Sequence, residues 1–95
     1  ILWTLKEMPE EEKERVKDGI KEGLEGLRGR IPGLVDIKVQ VAGRMETSTV
    51  DLMLDSTFES PEALAVYASH PEHVAVADSR VRPFTAARAC LDFEL

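Results

Sequence analysis

Leu34-Val35-Asp36-Ile37-Lys38-Val39-Gln40-Val41 alternates apolar and polar residues along its whole length. Successive side chains of an extended chain point to opposite faces. The spacing therefore predicts a half-buried strand with Val35, Ile37, Val39 and Val41 inward and Asp36, Lys38 and Gln40 outward. Thr49 to Phe58 alternates again, with Val50, Leu52, Leu54 and Phe58 on one face and Asp51, Met53, Asp55 and Thr57 on the other. Between them Ala42 to Ser48 is polar, with one glycine, and reads as a hairpin loop. Two alternating strands joined this closely form an antiparallel hairpin.

On both sides of the hairpin the period changes to that of a helix. Met8-Pro9-Glu10-Glu11-Glu12 is a helix start. Proline suits the first turn, where an N–H has no partner, and the acids suit the positive end of the helix dipole. Val16, Ile20, Leu24 and Leu27 follow as one apolar stripe, and Lys21, Arg28 and Arg30 gather toward the far end. Gly29 and Ile31-Pro32-Gly33 stop this helix. Gly19, Gly23 and Gly26 weaken it by about 0.5–1 kcal/mol each relative to alanine, so it depends on packing against a sheet. Beyond the hairpin, Ser60-Pro61-Glu62 starts a second helix, with Ala63, Leu64, Tyr67 and Ala68 at helical spacing. His70-Pro71 breaks it, and a further segment runs from Glu72 to about Val81, carrying Val74, Ala77 and Val81, until Pro83 ends it.

Ile1 to Lys6 and Thr85 to Leu95 read as the outer strands, the latter with Ala89, Leu91, Phe93 and Leu95 alternating against Cys90, Asp92 and Glu94. The order βαββαβ predicts one α+β domain spanning residues 1–95, a ferredoxin-like fold with a four-stranded antiparallel sheet and both helices on one face. Asp36, Lys38, Gln40, Asp51, Met53 and Asp55 make the other face a mixed polar surface, open either to solvent or to a partner with polar contacts.

A chain of 95 residues buries only about two-thirds of its unfolded surface, so a partner covering an extra face would help. Its net charge of −6 repels phosphates and argues against nucleic acid and anionic membrane as partners. Arg80, Arg82 and Arg88 read as a solvated face with scattered ion pairs. Hydrophobic residues are 43% and charged residues 32%, the balance of a soluble globular protein; no apolar run is long enough to span a bilayer, and no signal-peptide pattern opens the chain. The single cysteine, Cys90, has no partner for an intrachain disulfide, which points to a reducing cytoplasm, and it reads as a small core or sheet residue. The sequence opens at Ile1 and not at Met, so further residues are expected before it.

The chemistry concentrates in Tyr67-Ala68-Ser69-His70-Pro71-Glu72-His73-Val74, which holds the only tyrosine and both histidines of the chain. Imidazole exchanges a proton near neutral pH, and a phenol can hold a carbonyl oxygen. The break at Pro71 would let the three side chains converge beside an apolar slot lined by Trp3, Leu5, Leu24 and Phe84. Plainer roles stay open: Tyr67 as core, His70 bonded to backbone at the break, His73 exposed in a first turn. No metal site is expected, because the two histidines and Glu72 have no further ligand set at metal spacing. Phosphate loops, nucleophile elbows and CxxC motifs do not occur, and no cofactor is expected.

Tyr67-x-x-His70-Pro71-x-His73-Val74 resembles the signature of the stress-responsive A/B-barrel (Dabb) family. Phe58 to Leu64 resembles its lead-in, Leu2 to Lys6 its opening strand, Leu27 to Leu34 its turn, and Cys90 to Glu94 its closing strand. The resemblance covers nearly the whole chain. It implies a ferredoxin-like monomer and a homodimer whose two sheets form an α/β barrel. Most members of the family have no assigned reaction, so a protein binding a small apolar or carbonyl ligand between sheet and helices is the first expectation. The plant polyketide cyclases resembling olivetolic acid cyclase imply a second, a cofactor-independent enzyme. By that likeness Tyr67 would hold the substrate carbonyl, His73 would act as general base, and His70 would be supporting. Relatives of the antibiotic-biosynthesis monooxygenases, which share the fold, are a third.

Overall fold

The computed structural model describes residues 1–41 and 43–95; Ala42, at the head of the expected hairpin loop, lies outside them. Strand β1 (Leu2–Leu5) leads to helix α1 (Glu10–Glu25), then β2 (Leu34–Gln40), β3 (Leu52–Phe58), α2 (Pro61–Ser69) and α3 (Pro71–Val76). A π-helical turn (Ala77–Val81) and a 3-10 turn (Arg82–Phe84) deliver the chain to β4 (Thr85–Ala89). The four strands form one antiparallel sheet in the order β2-β3-β1-β4. This is the ferredoxin-like α+β arrangement that the alternation predicts, with the core between sheet and helices.

Helix α1 starts as its residues dictate, with Glu12 and Lys13 N–H groups donating to the Pro9 carbonyl, both at 3.0 Å. Val16, Ile20 and Leu24 are buried against the sheet, and Leu27 is buried just past the helix end. The helix ends at Glu25, so Gly26 lies at its cap and not in its interior. Gly23 has a packing reason to be glycine. A Cβ there would sit 2.8 Å from Arg80 Cδ and 2.9 Å from Val76 Cγ1, so its absence lets α1 and the α3 region touch. Gly33 has φ +83°, and a Cβ would meet that of Ala63 at 2.5 Å. In α2 the Ser60 hydroxyl accepts from the Ala63 N–H at 3.1 Å, as the helix-start pattern requires.

Strand β2 lies at one sheet edge, and α1 covers it. Glu25 accepts from the Val39 N–H at 2.9 Å, Lys21 donates to the Val39 carbonyl at 2.9 Å and to Glu25 at 2.9 Å, and Arg28 donates to the Ile37 carbonyl. The edge's outward groups are thus occupied by side chains. Val39 N–H, ahead of Lys21, holds the Glu25 carboxyl below its usual range.

Several expectations fail. Val35 is 56% exposed, because Leu34 pairs with Phe58 and Asp36 with Thr57, leaving Val35 as an extra residue in a bulge; Leu34 takes the buried place. Asp51 is buried, not outward. It precedes β3, accepts from the Leu5 N–H at 2.7 Å and pairs with Arg44 at 3.2 Å, while its own N–H donates to the Trp3 carbonyl at 2.9 Å. The last strand stops at Ala89, where its ladder with β1 ends at Leu2; among the described residues no strand lies beside residues 90–95. Leu91, Phe93 and Leu95 are therefore exposed, and so is Cys90, which is neither core nor sheet. Finally, Ala89 faces outward with Leu2, and Arg88 stands opposite the buried Trp3.

Candidate functional site

Between the β1–β4 side of the sheet and the helices lies a cavity of about 400 Å³. Trp3 of β1, Leu24 of α1 and Leu54 of β3 supply apolar wall. His73, Ala77, Val81 and Arg82 close it from the helix side, and Ile1, Thr85 and Arg88 complete the lining. Ala77 and Val81 both lie in the π-helical turn, a wide irregular turn of the kind that recurs at functional sites.

His70 and Pro71 position the ring of His73. His70 is extended, as a residue before proline must be, and its Nδ1 accepts from the Glu72 N–H at 3.1 Å, capping α3. His73 then sits in α3 with Nδ1 3.3 Å from the Ala68 carbonyl. A carbonyl only accepts, so the neutral ring carries its proton on Nδ1 and keeps a lone pair on Nε2. Burial is the main cause that holds the His73 imidazole below its ordinary proton affinity; Arg82 and Arg88 add to this, while the Ala68 carbonyl and Asp78 oppose it.

Tyr67 stacks on His73 with ring centroids 4.1 Å apart and on Phe58 at 4.9 Å. It is buried, and its hydroxyl has no hydrogen-bond partner among the described residues. An unpaired buried hydroxyl costs about 1–3 kcal/mol. Burial also pushes the phenol up to about 12, so the hydroxyl keeps its proton at neutral pH. The pair thus joins a proton donor to an adjacent imidazole that is free to accept.

Of the residues expected at the site, His73, Trp3 and Leu24 line the cavity, and Tyr67 backs His73. Leu5 is buried core and does not reach the cavity. Phe84 faces a separate surface cleft beside Glu12, Arg15 and Gly19. His70 caps α3 and does not line the cavity. Sequence reasoning missed Leu54, Thr85, Arg82 and Arg88. Alternation assigns an arginine to solvent by default, and only the pairing of Arg88 with Trp3 puts this exposed residue on the helix side of the sheet, at the cavity. Among the described residues no group of three or more His, Cys, Asp or Glu is placed to hold a metal ion, and no helix is long and apolar enough to cross a membrane.

No curated protein matches this chain. The chain is similar to a solved structure from Bacteroides fragilis NCTC 9343, a dimeric protein of unknown function and ferredoxin-like fold. The two share 33% sequence identity and a TM-score of 0.90 over 99% of this chain and 90% of that one. The stress responsive A/B barrel domain model matches residues 1–95, the whole length, and the chain belongs to that family.

Proposed function

We propose that the protein is a homodimeric binder of a small molecule with an apolar body and a carbonyl group, held in the cavity between sheet and helices. One observation carries this reading: a cavity with apolar walls at Trp3, Leu24 and Leu54, whose helix side presents His73 with Tyr67 packed behind it. A pocket of largely apolar wall with a few convergent polar groups is the usual form of a ligand site. Pairing is supported by the dimeric relative and by apolar surface that one chain leaves open: Leu2, Met53 and the tail residues Leu91 and Phe93. Leu2 and Met53 are cross-strand partners on the sheet face away from the helices, so a second sheet could cover them together. Exposed Cys90 suits a reducing compartment, in keeping with a cytoplasmic protein.

Trp3 is the only tryptophan, and its place on the cavity wall makes its fluorescence a reporter of occupancy. Titration with naphthoate or acetonaphthone should change that fluorescence saturably. Ala77→Leu, which fills the cavity, should weaken both by at least about tenfold. Absence of any saturable change in the wild type with either probe would sink the reading.

His73 favours a second, catalytic reading, in which a neutral imidazole with a free Nε2 removes a proton next to the ligand's carbonyl, with Tyr67 packed behind the imidazole ring. Exchange of the acetonaphthone methyl protons with deuterated water measures that step directly. Wild type should accelerate exchange by about 10²–10⁴-fold over buffer, and His73→Ala should bind the ketone yet lose the acceleration. Equal exchange by wild type and variant would exclude His73 as the base.

A further inference from the structure

We infer that the cavity selects an anion: Arg88, on the inner side of β4, holds the carboxylate of a small apolar acid, with Arg82 beside it. The inference rests on the cavity being a ligand site. It adds the charge class of the ligand and the residue that reads it.

Directly opposed residues of an antiparallel pair project to the same face. Arg88 is opposite Trp3, which is buried toward the helices, so Arg88 lies on the helix side of the sheet and, although exposed, lines the open cavity with Trp3, Leu24, Leu54 and His73. The remainder of β4 is threonine and alanine, so the strand spends its one large side chain there.

The chain as a whole is acidic, at −6, yet no carboxylate lines this cavity; its two charged side chains are Arg82 and Arg88. Among the three arginines of this segment, Arg80 donates to the Gly19 carbonyl at 3.0 Å and Arg82 pairs with Asp78. Arg88 makes no hydrogen bond or ion pair among the described residues. A planar guanidinium with free donors, at the rim of a cavity with apolar walls, matches a carboxylate by two parallel hydrogen bonds. The field of Arg82 and Arg88 already disfavours a proton on His73, and a bound anion would relieve it.

Naphthoate and acetonaphthone share a ring system and differ in carrying a carboxylate or a neutral ketone, so calorimetric titration of both isolates the charge. Wild type should bind naphthoate about 10- to 100-fold more tightly, the range of a hydrogen-bonded charge. R88M keeps the apolar stem and loses the fork. It should erase this preference with an unchanged unfolding midpoint, and R88K should restore part of it. Naphthoate should also raise the proton affinity of His73, read by NMR. Equal affinities in wild type, or a preference that survives R88M, would overturn the inference and leave the cavity as a ligand site. If Arg88 instead pairs with a carboxylate of a second copy, R88M would weaken the dimer and leave the affinity ratio intact, which also overturns it. Failure of both probes to bind would overturn the inference together with the ligand-site reading.

Discussion

The two edges of the sheet are treated in opposite ways. At β2, side chains of α1 and the following turn occupy the outward backbone groups of Ile37 and Val39, and both residues are fully buried beneath them. At β4, no side-chain hydrogen bond reaches the strand among the described residues; Ala86 to Ala89 are exposed, and an apolar tail runs on past the last pair. One edge is completed by its own chain, while the other is left unfinished, and the cavity opens beside the unfinished one. The covered edge and the candidate site thus sit on different halves. Substitutions at β2 should move unfolding, and substitutions at β4 should move association and binding.

The sharpest break of that contrast is Ile37→Ala, which hollows the covered side. Loss of a fully buried isoleucine costs about 2–5 kcal/mol, a large share of the stability of a small domain. Denaturant unfolding should show a lower midpoint with an unchanged slope. A loss under about 1 kcal/mol, the size of a surface change, would mean the β2 side is not the stable half. Glu25→Ala is milder. It removes the acceptor of the Val39 N–H and the partner of Lys21, for a cost of about 0.5–1.5 kcal/mol. Amide exchange at Val39 should accelerate more than at Ala87. If the two respond alike, the edge cover has no local effect.

These halves were not equally legible in the sequence. Alternation in Leu34 to Gln40 and Leu52 to Phe58 is readable because one face of the hairpin is buried and the other solvated. Where the pattern misled, a longer-range constraint prevailed. The bulge at Val35 shifts the inward position to Leu34, and Asp51 turns inward because the Leu5 N–H needs an acceptor. The tail residues Leu91 and Phe93 have the alternation of a strand without a neighbour to pair with. The site divides along the same line. Tyr67, His70 and His73 could be found together because helix geometry and one proline bring them together within a short stretch. Leu54, Thr85 and Arg88 meet the cavity only through strand register, which no local pattern encodes.

The pH dependence of stability tests the open half without cutting its core. His73 has a folded proton affinity below its ordinary value of 6.5. As pH falls through that value the unfolded chain takes up a proton that the folded chain resists, so the unfolded state gains. The contribution of neutral His73 is present above pH 6.5 and is lost as pH falls toward the folded value. Wild type should lose stability as pH falls through 6.5 toward the lower folded value. His73→Phe keeps a ring against Tyr67, removes the titration and should flatten that part of the profile. Glu25 acts in a separate window, because its depressed carboxyl stabilises above its ordinary 4.5 and loses that effect only as pH falls further. An unflattened profile in His73→Phe would place the titrating group elsewhere.

The smallest effect on the protomer is expected at the tail, and there the contrast between the edges is most exposed to failure. Leu91 and Phe93 are 78% and 71% exposed, so replacing both with serine removes almost no contact from the chain's own core. The unfolding free energy of the isolated protomer should move by no more than about 0.5 kcal/mol. The same two side chains are costly to leave in water unless something covers them, each being worth about 1.5–3 kcal/mol on full burial. In a two-fold dimer each tail appears twice, so the double substitution removes apolar area from both partners at once. Sedimentation of the wild type should therefore give a dimer, and that of Leu91→Ser with Phe93→Ser a shift toward monomer at the same concentration. A variant that stays dimeric while its protomer loses several kcal/mol would reverse the assignment, because the tail would then belong to the chain's own core and the β4 edge would be closed from within.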